Sequence, residues 1–94
     1  MVTAFVLLNV ERDVINDVAA ALADTQGVSE VYSVGGRYDL IAIIRVKSNE
    51  MLSDVVTNQM VKIRGIQKTE TMLAFRAYSR HDLENMFSIG LEED

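Results

Sequence analysis

Apolar positions along this chain alternate between a period of two and a period of three to four, and each change marks a new element. Val2 to Val10 reads as a strand. Ala4, Val6, Leu8 and Val10 form one alternate set, and Thr3, Phe5, Leu7 and Asn9 the other. Both sets are largely apolar, whereas a strand with one wet face shows a polar residue at every second position. Asp13 to Asp24 then places Val14, Ile15, Val18, Ala21 and Leu22 in one helical stripe, with Asp13 as candidate N-cap and Gly27 as the stop. A strand from Val28 and a second from Asp39 to Lys47 flank the turn segment Gly35-Gly36-Arg37-Tyr38-Asp39. The second of them puts Leu40, Ala42, Ile44 and Val46 on one face and Ile41 and Ile43 on the other.

Ser48 or Asn49 can cap a second helix running to about Arg64, with Leu52, Val55, Val56, Met60 and Ile63 inward and Gly65 ending it. The last strand is Ile66 to Ser79. Its one face carries Thr69, Thr71, Leu73, Phe75 and Ala77; Met72, Ala74 and Tyr78 share the other with Lys68, Glu70 and Arg76. Gly27-Val28 and Gly65-Ile66 each close a helix and open a strand, 38 residues apart. Strand–helix–strand twice over is the ferredoxin-like βαββαβ arrangement, an α+β fold with two helices on one face of a four-stranded antiparallel sheet. Two helices cover one face only, yet Phe5, Leu7, Ile41 and Ile43 point to the other. Left in water each costs roughly 1.5–3 kcal/mol, and contiguous apolar patches mark interfaces. The pattern therefore predicts a homodimer whose two sheets pack face to face.

Ninety-four residues, half of them hydrophobic, make one domain, read as residues 1–79 with a short C-terminal helix and tail over 80–94. In that tail Leu83, Met86 and Phe87 would share one side and dock on the same domain or a neighbouring subunit. A net charge of −5, with scattered Lys and Arg, argues against gripping nucleic acid through phosphates. Cysteine is absent and no apolar run reaches the roughly 20 residues of a membrane span. A cytoplasmic protein with no membrane partner is expected.

Catalytic chemistry is poorly supplied. The single histidine, His81, sits between Arg80 and Asp82 in a polar stretch. Neither a metal set, a phosphate-binding glycine signature nor a nucleophile–base pair can be assembled, so no cofactor and no enzyme activity are expected. A binding constellation remains. Asp39 suits an ammonium group, and backbone N–H groups around Gly35 and Gly36 suit a carboxylate. Thr69 and Thr71, two apart on one strand face, can point the same way. Simpler readings stand beside these: Asp39 bonding its own turn, the glycines serving hairpin geometry alone, and the threonines as plain strand formers.

The run Gly27-Val28, Val31, Val34, Gly36, Tyr38-Asp39-Leu40, then Gly65-Ile66, Thr69-x-Thr71 and Tyr78, resembles the effector (RAM) domain of the Lrp/AsnC, or leucine-responsive feast/famine, transcriptional regulators. The likeness covers Val2 to about Tyr78. It implies a domain that dimerises through its sheets, assembles into octamers or similar rings, and binds amino-acid effectors at contacts between dimers. Carried onto this chain, it implies Gly36, Tyr38 and Asp39 in the ligand loop, bordered by Val34 and Leu40, with Thr69 and Thr71 supplied from the last strand of the same or another subunit. The backbone reading adds Gly35 to the expected ligand contacts. Full-length members carry a helix-turn-helix before this domain, whereas here the first strand begins at Val2. A stand-alone sensor is therefore expected, with a full-length relative as candidate partner through mixed assembly. Two other readings stay open: a small cofactor-free dimeric monooxygenase-type enzyme, and a purely structural oligomerisation module.

Overall fold

Alternating hydrophobicity along Val2–Val10 (β1) produces the central strand of the sheet. The structure is a computed structural model that describes residues 1–80. Its order is β1, α1 (Ile15–Ala23, entered through a 3-10 turn at Arg12–Val14), β2 (Val28–Ser33), β3 (Leu40–Val46), α2 (Asn49–Asp54) and β4 (Ile66–Leu73). The strands lie in the order β2-β3-β1-β4 and every neighbouring pair is antiparallel. This is the ferredoxin-like α+β arrangement that the two repeats imply. The expected C-terminal helix and His81 lie outside the described residues.

One alternate set of each central strand is buried under the helices: Ala4, Val6, Leu8 and Val10 from β1, and Leu40, Ala42, Ile44 and Val46 from β3. Val18 and Leu22 of α1, with Val55 and Met60 beyond α2, close the core from above. The two repeats meet reciprocally through their glycines. A Cβ on Gly27, after the first helix, would lie 2.8 Å from Val55 of the second; one on Gly65 would lie 2.6 Å from Val14, ahead of the first helix. Both glycines have positive φ. Each helix thus ends in a turn that only glycine fits, packed against the other repeat.

Several sequence-based boundaries shift. Asp13 does not cap α1. It sits within the 3-10 turn whose Val14 N–H donates to the Glu11 carbonyl at 3.1 Å. Ala21 is exposed and Ala19 takes its place against the core. Ser48, not Asn49, caps α2, its Oγ accepting from the Met51 N–H at 3.2 Å. The second helix does not run evenly to Arg64. A π turn spans Val55–Gln59 and a 3-10 turn Met60–Lys62. Val55-Val56-Thr57 is a β-branched run, which crowds the preceding turn of an α-helix. The wider turn bonds Met60 N–H back to Val55 O, so these two core residues, five apart, stack on one side. β4 stops at Leu73 rather than Ser79. Just past it Ala74 N–H donates the last ladder bond, to Thr3 O at 2.9 Å, while β1 continues to Val2 paired with β3.

Candidate functional site

The loop between β2 and β3, residues 34–39, stands at one end of the sheet and is fastened from its C-terminal side. Val34 N–H donates to Asp39 O at 3.0 Å, closing the hairpin, and Asp39 N–H donates to Leu8 O at 2.8 Å. Beyond Leu8, β1 has no residue of β3 opposite it. The Val10 N–H there would lack a partner, and Asp39 Oδ2 accepts it at 2.9 Å. Asn9 Nδ2 donates to Arg37 O at 2.7 Å. Tyr38 Oη donates to Glu70 Oε2, which lies on β4 on the far side of β1. That bond, and burial after it, holds the Tyr38 phenol above its ordinary pKa, with Arg37 opposing. A protonated phenol is the form that can donate.

The tip of the loop is left bare. A Cβ on Gly35 or Gly36 would meet nothing within 4 Å. Only Gly36, at φ +108°, needs to be glycine for its backbone. Among the described residues the N–H groups of Gly35 and Gly36 bond to nothing. Free N–H groups side by side on exposed backbone are what a carboxylate takes up.

Beside the loop lies the sheet face that the helices do not cover. Register places Phe5 opposite Ile43, Leu7 opposite Ile41 and Phe5 opposite Met72, so these five side chains adjoin across three strands. Tyr32 and Met72 are each about half exposed, and no residue of this face is fully buried. A polar rim surrounds it. On the β2 side Tyr32 Oη donates to Glu30 Oε2 at 2.6 Å, and Arg45 Nη1 donates to Ser29 Oγ at 2.8 Å and lies 3.5 Å from Glu30. On the β4 side stands the Tyr38–Glu70 pair.

The eight residues expected at the site are not all gathered by one chain. Val34, Gly35, Gly36, Tyr38 and Asp39 form the loop, whereas Leu40 is fully buried and seats the loop from below. Thr69 and Thr71 do share a face of β4, opposite Leu8 and Val6, but that is the helix side of the sheet. Tyr38 reaches toward the opposite side, where Glu70 faces Leu7. Thr69 lines a hollow of about 220 Å³ with Val56, Met60, Ile63 and Ile66, and Thr71 does not. Loop and threonines would have to meet through different copies. A larger hollow, about 580 Å³, opens at the other end of the strands between α1 and α2; Asp24, Glu50 and Asp54 line it with no cationic side chain. Sequence reasoning passed over Asn9 and Glu70. Asn9 interrupts an apolar set, the kind of break that signals a side chain with a polar task; Glu70 gave no such sign.

Known proteins share both this sequence pattern and this fold. A family model described as the Lrp/AsnC ligand binding domain matches residues 3–83. An uncharacterized HTH-type transcriptional regulator of Pyrococcus horikoshii is 34% identical over 76 residues, covering 78% of this chain and 51% of that protein. The chain spans about half the length of the curated relatives it matches. A crystal structure from Thermus thermophilus superposes with a TM-score of 0.80 at 48% identity, covering 85% of this chain and all of that one. A feast or famine regulatory protein of Mycobacterium tuberculosis, solved with L-methionine, shares the fold at a TM-score of 0.70 and 23% identity, over 85% of this chain and 54% of that one.

Proposed function

This chain belongs to the Lrp/AsnC ligand-binding domain family, and from that premise we propose that it is a non-catalytic regulatory sensor that binds a free amino acid where copies of it meet. The observation that carries the reading is the bare loop tip, whose Gly35 and Gly36 N–H groups are unclaimed beside an uncovered apolar face. The ligand carboxylate takes those N–H groups. Asp39, with Oδ2 engaged by Val10, keeps Oδ1 for the ammonium. Val34 and Tyr38 border the loop, and Thr69 and Thr71 come from another copy, since their own strand turns them to the opposite side of the sheet.

Two sheets pack through Phe5, Leu7, Ile41, Ile43 and Met72 into a dimer, and dimers join into a ring of octamer type. Ligand bound between copies favours the assembly that forms its site, because a ligand shifts an equilibrium only by differential affinity. Regulation then acts through a full-length Lrp/AsnC relative that joins the same assembly rather than through DNA contact by this acidic domain. Calorimetry against the proteinogenic amino acids, beginning with methionine, tests the reading. Saturable heat together with a ligand-dependent change in mass by light scattering is expected; no heat and no thermal shift with any amino acid would overturn it. One observation favours the structural-module alternative: Tyr38 and Asp39 already have partners within the chain. On that reading ligand would leave the mass unchanged while the assembly persisted.

A further inference from the structure

We infer that Glu70, on the edge strand, is a positioning residue for the sensor loop, acting through Tyr38 across the uncovered face of the sheet. The inference rests on the loop's role proposed above, and it adds residues to which that role gives no part. Three ties hold the loop to the adjacent strand: Asp39 N–H to Leu8 O, Asn9 to Arg37 O, and Val10 N–H to Asp39 Oδ2. The fourth is different. Tyr38 passes over β1 to reach β4, two strand spacings or roughly 10 Å away. It crosses on the face that presents Leu7. A Cβ on Gly35 or Gly36 would meet nothing within 4 Å, so the tip is positioned from its flanks, Val34 bonded to Asp39 O on one side and residues 37–39 on the other. Among these flanking residues Tyr38 is the one tied to the far edge.

The location gives the bond a second consequence. A copy seated on Phe5, Leu7 and Met72 would exclude water from the bond between phenol and carboxylate. A charge-assisted hydrogen bond strengthens when its surroundings lose water. Pairing of sheets would in that way stiffen the loop before any ligand arrives, so affinity for amino acid and dimerisation rise together.

The test uses the whole 94-residue chain with Glu70→Ala, Glu70→Gln, Tyr38→Phe and the double variant Tyr38→Phe/Glu70→Ala. Amide hydrogen exchange at Gly35, Gly36 and Arg37 reads loop order without any ligand, calorimetry reads amino-acid affinity, and light scattering reads mass. Glu70→Ala and Tyr38→Phe should each speed exchange at the tip and weaken binding by about tenfold, the scale of one hydrogen bond to a charged group. The double variant should be no worse than either single one, as for two partners of one bond. Glu70→Gln, whose amide oxygen still accepts from the phenol, should restore most of both. Unchanged tip exchange in Glu70→Ala overturns the inference, as does a double variant whose effects add. A wild-type chain that binds no amino acid would sink the sensor reading alone, because loop exchange decides the present point separately.

Discussion

Asp39 carries two tasks in this molecule, and two substitutions separate them. Its Oδ2 accepts the Val10 N–H at 2.9 Å where the β1–β3 ladder ends. Asp39→Ala leaves that partly buried N–H without a partner, a loss of about 1–3 kcal/mol. For a domain of this length a loss near 2 kcal/mol lowers the melting temperature by roughly 8–16 °C. Asp39→Asn keeps an oxygen in place for Val10 and gives up only the advantage of a charged acceptor, about 1 kcal/mol. Toward an amino acid the two changes should be alike, since each removes the negative charge facing the ammonium, and affinity should fall at least about tenfold. Thermal unfolding followed by circular dichroism, at one protomer concentration because dimerisation shifts apparent stability, is paired with calorimetry on each variant. Asp39→Ala melting within about 2 °C of the parent chain, well short of a lost buried bond, would refute the structural role. Asp39→Asn binding as tightly as the parent would refute the ammonium role.

Other expectations follow from single contacts. Phe5→Glu puts a charge at the centre of the uncovered face and, through twofold symmetry, puts it there twice; light scattering should then find monomer, and an unchanged mass would exclude this face as the interface. Gly65→Ala sets a Cβ 2.6 Å from Val14 at φ +101°. Backbone strain of about 1–2 kcal/mol adds to an overpacking cost of about 1–3 kcal/mol, so urea unfolding should report a loss of about 2–5 kcal/mol. Ser48→Ala removes the N-cap bond to Met51 and should cost about 1 kcal/mol in the same assay. The bonds from Asn58 and then Gln59 hold the Asp54 carboxyl below its ordinary range. A carboxyl with a lowered folded pKa stabilises above its unfolded value and loses that contribution as pH falls through the folded one. Asn58→Ala should therefore flatten the acid limb of the stability curve below about pH 4 and leave neutral pH less stable than the parent chain.

How much of this was legible in the residues depends on whether a partner lies near in sequence. Alternation in β1 and β3 assigned both faces of the sheet because side-chain direction in a strand follows from position alone. Helical spacing, with Gly27 and Gly65 as stops, placed the two crossovers, and the 38-residue echo fixed the topology. The exposed turn was visible as well, because paired glycines before a polar run have few other uses. The limits of the elements were harder to see. The end of β4 depends on where it parts from β1, opposite Ala4, and the π turn depends on how Val55 and Met60 pack over the sheet.

Only the tertiary structure decided what Asp39, Tyr38, Asn9 and Glu70 do. Tyr38 and Glu70 are 32 positions apart and meet because β1 lies between the hairpin and β4. Thr69 and Thr71 were correctly set on one face of their strand, but which face that was relative to the loop required the register against Val6 and Leu8. Periodicity reports the direction of a side chain within its own element. A hydrogen bond between elements is set by register and strand order, which a local pattern does not contain.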